Sequence, residues 1–191
     1  MSPERINRRD VIIDIASRLF ITQGYEATSV RQIAEEVGVT EAALYYHFKD
    51  GKRELLQCVA EHAMPDLMQA LVGMDDAQSL YEFITRFVTA VSTNWPPRMA
   101  RLRWVISEFP RWNDEERAIF HRKHRRFQDA VVAQVARFVD DDREAYVIGY
   151  TLMCALFGYG NLFINMNLDR VSDFKVEEMG ELLATSLAKG R

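Results

Sequence analysis

Apolar residues recur at helical intervals along the whole chain. Ile12, Ile15, Ala16, Leu19 and Phe20 fall at i, i+3, i+4, i+7 and i+8, which puts them on one face of a helix. Gly24 stands where that helix needs a C-terminal cap. Val30, Ile33, Ala34 and Val37 form a shorter stripe, opened by Thr28 or Ser29 as N-cap and closed by Gly38. Thr40 caps a third short helix with Leu44 and Phe48 on its inner side, and Lys49-Asp50-Gly51 reads as a turn. A fourth helix carries Leu55, Leu56, Val59, Ala60 and Ala63 until Pro65 disturbs it.

Past residue 75 the stripes lengthen. Leu80, Phe83, Ile84, Phe87, Val88 and Val91 predict one helix. Pro96-Pro97 reads as a break, after which Met99, Leu102, Val105, Ile106 and Phe109 predict another helix, up to Pro110. A longer helix is expected from about Asp114 to Val139, with Asp140-Asp141-Asp142 marking its end. Residues 143–168 are apolar on most faces, as a helix buried among others would be. Phe174, Met179, Leu182, Leu183 and Leu187 give the last helix. No strand alternation and no internal repeat is visible. The expected fold is all-α, about nine helices: a three-helix N-terminal domain over residues 1–55, then a larger helical bundle over 56–191.

Composition narrows the class. Of 191 residues 48% are hydrophobic and 27% charged, a globular balance that excludes bulk disorder. Nine Gly and five Pro are too few for the frequent turns of an all-β sandwich. Cys58 and Cys154 form no CxxC pair and no framework of bridges, which points to a reducing, cytoplasmic setting. The first apolar run, Val11 to Ile13, is too short for a signal-peptide core. The longest, Tyr150 to Ile164, is short of a membrane span and is interrupted by Gly158, Gly160 and Asn161, so no membrane partner is expected. A formal net charge of −4 does not by itself indicate a nucleic-acid binder, so that function must rest on a local motif.

Residues 28–48 supply one. Two short helices joined at a glycine make a helix-turn-helix. Ala34 is small where the helices approach, Gly38 permits the positive φ of the turn, and Val39 and Leu44 fill the space between them. Thr40 caps the second helix, whose first turn, with Glu41, Ala42 and Ala43, would face base edges in a major groove. Tyr45, Tyr46 and His47 offer a hydroxyl or ring N–H to phosphates, and Lys52 opens the next helix, where backbone N–H groups can hold a further phosphate. Thr28 and Ser29 complete the candidate DNA-binding set.

The run Thr28-x-x-x-x-Ile33-Ala34-x-x-x-Gly38-Val39-Thr40-x-x-x-Leu44-Tyr45-x-His47-Phe48, continued by Lys52, Glu54 and Leu55, resembles the TetR family of bacterial transcriptional regulators. The resemblance covers the first 55 or so residues. It departs in one respect: three residues separate Phe48 from Lys52 where many members have two, which bears on where Lys52 sits. The resemblance implies a homodimeric repressor that binds a palindromic operator in double-stranded DNA. It also implies release by a small-molecule inducer, without a cofactor, a metal or catalysis. Residues 1–55 hold eight basic and nine acidic side chains, a net of −1, so binding requires sorting charge onto one face. Arg5, Arg8 and Arg9 could form a basic arm of the kind seen in other members.

Other constellations weigh less. His121 and His124 lie at i, i+3, but Arg117, Arg122, Lys123, Arg125 and Arg126 surround them, which disfavours a metal cation. From Arg98 to Arg126 there are nine basic and four acidic residues, a net of +5, read as a solvated helix face. No Glu has a His three residues later, so the di-iron bundle signature is missing, and no nucleophile signature appears; a helical-bundle enzyme is the weaker reading. A helical small-molecule binder without an operator is the other alternative. Tyr146, Tyr150, Met153, Phe157 and Asn161 recur on one stripe and, with Trp104, are the candidate lining of a largely apolar ligand pocket. Ala155 and Gly158 would let a second helix approach. With Met179, Leu182, Leu183 and Leu187 they predict a four-helix dimer interface of ~2,000 Å² or more.

Overall fold

The computed structural model describes residues 7–63, 67–93 and 95–189, with the side chains of 62–63, 96–98 and 100–101 left aside. Arg5 and Pro65 lie outside the described residues, as do the side chains of Ala63, Pro96 and Pro97. Among the described residues nine α-helices run in order: α1 Arg8–Gln23, α2 Val30–Val37, α3 Glu41–His47, α4 Lys52–Ala63, α5 Leu80–Ser92, α6 Trp95–Glu108, α7 Asp114–Val135, α8 Asp142–Tyr159 and α9 Val176–Leu187. Short 3₁₀ turns occupy Leu67–Leu71, Phe109–Arg111 and Leu168–Arg170, and a π-helical turn, Gly160–Asn165, extends α8. No strand occurs among the described residues.

The chain divides into two compact units. The first joins residues 1–65 to 104–120. Its core gathers Ile12, Ile13, Ala16 and Phe20 of α1, Ile33 and Ala34 of α2, and Leu44 and Phe48 around α3. Leu55, Val59 and Ala60 of α4 belong to the same core, so the division expected after residue 55 would cut a helix whose inner face is continuous. Trp104, Val105 and Trp112 complete it from far along the chain, with Trp104 stacked on Phe20 at 6.5 Å. Asn113 and Glu116 exchange side-chain and backbone hydrogen bonds, each 2.8 Å, in a capping box that starts α7.

The second unit, residues 66–103 and 121–191, is built on α5 lying along α9. Phe83, Ile84, Phe87 and Val88 of α5 meet Val131, Leu152 and Ala184 in its core. The two helices approach closely because Gly180 has no side chain: a Cβ there would stand 2.9 Å from Cγ1 of Val88. Arg137 pins the loop before α5, donating to the carbonyls of Met74, Asp75 and Ala77 at 2.9, 2.6 and 3.1 Å.

Three sequence expectations change here. The two prolines do not break the chain but open α6, since the first turn of a helix needs no donor from them. The Asp140–Asp142 run does not close α7, which ends at Val135; Asp141 instead caps α8, accepting from the Arg143 N–H at 2.9 Å. Most notably, α8 is not buried among other helices. Ala145, Ile148, Leu152 and Leu156 face the core, while Val147, Phe157 and Leu162 are exposed. The helix and its π turn, Asp142–Asn165, are long and apolar enough to cross a membrane by length and composition, with a mean hydropathy of 1.6 and 28% of that window buried. The stretch Tyr150 to Ile164 is only part of this helix, which runs back through the apolar residues 145–149 to a charged first turn at 142–144.

Gly180→Leu should destabilise the fold by ~1–3 kcal/mol through overpacking, outweighing the ~0.8 kcal/mol gained in helix propensity. Adding Val88→Ala should recover part of the loss. Urea titration of the three chains checks both statements.

Candidate nucleic-acid interface

Helices α2 and α3 are held by local chemistry. Ser29 accepts from the Gln32 N–H at 3.0 Å while the Gln32 side chain accepts from the Ser29 N–H at 3.4 Å. Gln32 also donates to the Gln23 side chain at 2.9 Å, tying α2 to α1. Gly38 closes α2 at φ 76°. The Thr40 hydroxyl then accepts from the Ala43 N–H at 3.2 Å and starts α3. Leu44 and Phe48 are fully buried, which fixes the rotation of α3. Glu41, Ala42, Tyr45 and Tyr46 are consequently exposed, Tyr46 to 81%, and Ala43 and His47 are half-buried beside them. The Tyr46 and His47 rings meet edge-on at 5.4 Å. The structure thus brings all but one of the candidates on residues 28–47 to exposed or half-buried positions. Thr28 is the exception: it is 1% exposed and its hydroxyl donates to the Gly24 carbonyl at 2.9 Å, so it joins the end of α1 to α2 rather than facing outward.

The longer turn after Phe48 has its own logic. Gly51 donates to the Phe48 carbonyl at 2.9 Å and sits at φ 60°. A Cβ on it would lie 2.7 Å from Cε1 of Tyr45, so the missing side chain makes room for the tyrosine ring. Lys52 follows, half-buried. Its ammonium stands 4.1 Å from the centre of the Tyr25 ring and donates to the Glu26 carbonyl at 3.4 Å. Burial holds its pKa below the ordinary lysine value, while Glu26 and Glu108 pull the other way.

Charge is sorted as the near-neutral count requires. Arg18 pairs with Glu36 at 2.7 Å and Arg31 with Glu35 at 2.8 Å. Arg9 is no arm: it lies over the Phe48 ring at 4.9 Å and donates to Cys58 Sγ at 3.2 Å. Arg8 and Lys49 are exposed. Tyr25, Glu108 and Glu116 were missed by sequence reasoning. The Asn113-x-x-Glu116 spacing signalled the capping box, but nothing local signalled that the box joins the first unit.

The remaining candidates scatter. Trp104 is buried in the first unit's core, whereas the stripe on α8 belongs to the second. There the Tyr146 and Tyr150 rings meet at a tilt of 36° with centres 4.5 Å apart, Met153 packs on the core, Phe157 is exposed, and Asn161 accepts from Asn165 at 3.3 Å. Of the residues expected at a dimer interface, Leu182 is 66% exposed. Met179, Leu183 and Leu187 pack partly on their own core. Ala155 is half-buried, and a Cβ on Gly158 would meet nothing within 4 Å.

Gly51→Ala should lower stability by ~1 kcal/mol or more, because the left-handed backbone and the Tyr45 ring both oppose the methyl group. Thermal melting measures the loss, and Tyr45 fluorescence or NMR should report its displaced ring.

Residues 12–59 match the profile of the family described as "Bacterial regulatory proteins, tetR family". The chain is 33% identical over 91 residues to the biofilm operon negative transcriptional regulator IcaR of Staphylococcus epidermidis; the match covers 46% of this chain and 49% of that protein, about half the length of each. The Staphylococcus aureus form is 26% identical over 71% of each chain. Among solved structures, the TetR family transcriptional regulator PfmR from Thermus thermophilus superposes with a TM-score of 0.64 at 25% identity, covering 96% of each chain. AibR, solved with isovaleryl coenzyme A and operator DNA, shares the fold at 21% identity, with a TM-score of 0.65 over 95% of this chain and 98% of that one. These relatives are regulators rather than enzymes. The capped helix-turn-helix lies within residues 12–59, which match the tetR family profile, and the all-helical fold is similar to that of the TetR family regulator PfmR.

Proposed function

We propose that this chain is a homodimeric, sequence-specific repressor that acts in the cytoplasm on a palindromic operator and is released by a small molecule. The observation that carries the reading is the outward face of α3. Leu44 and Phe48 anchor the helix, and its free side presents Glu41, Ala42, Tyr45 and Tyr46 to solvent. Two small side chains at the start of α3 read little beyond thymine methyl groups, so DNA shape contributes to selection. Tyr45, Tyr46 and His47 supply neutral phosphate contacts, which suits a head whose arginines are largely paired.

The negative regulator IcaR supports repression, and AibR, with its ligand and operator, supports release by a small molecule. Dimerisation places two copies of α3 in half-sites about 34–36 Å apart or a multiple of that. The exposed Val147 and Leu162 of α8 and Leu182 of α9 support self-association. The neighbouring row, Tyr146, Tyr150, Met153, Phe157 and Asn161, is the proposed ligand face, for a largely apolar compound. A ligand that binds one spacing of the two heads better than the other lowers operator affinity by that difference.

A gel shift against DNA upstream of the chain's own gene, at stated salt, tests the central statement: a sequence-dependent complex is expected, and equal binding to unrelated DNA refutes it. Tyr45→Phe should weaken that complex by about 1 kcal/mol, the scale of one hydrogen bond, with the melting temperature preserved. In light scattering the protein should show twice the 22.1 kDa chain mass. Leu182→Glu should shift it toward the single chain; a monomeric wild type refutes the dimer, and a dimer that survives this change places the interface elsewhere.

A further inference from the structure

A buried carboxylate reaches the first turn of α4 from the segment Trp104–Phe120. The Glu116 side chain is 4% exposed; one oxygen accepts from the Asn113 N–H at 2.8 Å and the other stands 3.6 Å from Nη2 of Arg53. Glu108 is likewise enclosed. It lies 3.6 Å from Arg111, and its charge acts on Lys52 and, with that of Glu116, on the Tyr25 hydroxyl, whose pKa is raised by burial first and by nearby acids after it. Charges removed from water are felt at longer range than charges on a surface. Lys52 is meanwhile turned inward, onto the Tyr25 ring and the Glu26 carbonyl.

Both cations sit where the positive end of α4 and its free N–H groups favour an anion. A DNA phosphate arriving there meets cations that already have partners, and at Arg53 a carboxylate too deeply packed to follow it out. We propose that Glu116 competes with DNA phosphates for Arg53, so that the Trp104–Phe120 segment sets how tightly the head grips the DNA backbone. This rests on the DNA-binding reading above.

The test uses the full chain and a labelled duplex enriched from random sequence by the wild-type protein, titrated between about 50 and 200 mM salt. Glu116→Gln keeps size and hydrogen bonding, and glutamine also serves a capping box. It should bind about two- to fivefold tighter at fixed salt. It should also steepen the dependence of log K on log salt by up to about one phosphate contact. In an Arg53→Ala chain the same change should gain nothing. Unchanged affinity and slope, weaker binding with preserved melting, or the same gain without the cation each overturn the proposal. Glu116→Asp, which keeps a capping carboxylate but draws it back from Arg53, should also bind tighter and decides alone if Glu116→Gln melts early. A wild type that binds no duplex at any salt overturns the DNA-binding reading and this proposal together; binding without the coupling overturns this proposal only.

Discussion

The burial of Leu44 and Phe48 is the constraint on which the candidate interface depends. Seven residues are far too few for a stable isolated helix in water. Helix α3 exists because Thr40 satisfies one orphan N–H at its start and two large side chains are driven into a core already made by α1, α2 and α4. Once those two are inside, the direction of every other α3 side chain is fixed by the 3.6-residue period. Tyr45 points out and onto Gly51, Tyr46 points into solvent, and Glu41 and Ala42 lead the helix. The exposed face of α3 is thus a by-product of packing, and a change at Leu44 would unmake it without touching any residue on it.

Much of this was legible in the sequence, because it is written in short-range signals. Ser29, Gly38 and Thr40 act on neighbours three or four residues away, and each stands in the structure where spacing put it. Thr28 misled because a threonine one place before a cap looks the same whether its hydroxyl faces solvent or turns back to Gly24. The union of residues 104–120 with the N-terminal core left no periodic trace: Trp104 and Val105 belong to the same helix, α6, as Met99, yet they serve a different core. The outer face of α8 was misread for a related reason. Apolar periodicity says that a residue avoids water; it does not say whether its own chain or another surface provides the shelter.

The first unit solves its electrostatic problem by neutralising rather than accumulating charge. Arg18 and Arg31 are matched to glutamates, and Arg9 is folded against Phe48 and Cys58. Helix α3 itself carries two tyrosine hydroxyls and no lysine or arginine. Contacts made by hydroxyls depend on distance and angle more than on ionic strength. The geometry of the Tyr45–Gly51 contact therefore carries weight that a lysine-rich surface would spread over many residues.

The exposed apolar length of α8 also changes what the word stability means for this chain. A face of Val147, Phe157 and Leu162 open to water invites association. A partner that covered it would bind the folded chain and not the unfolded one, so folding and association would share one equilibrium. A melting temperature would then have no single value: it would rise with the concentration of that partner. If that partner is a second copy, a cell holding few copies holds a softer protein than a test tube holding many.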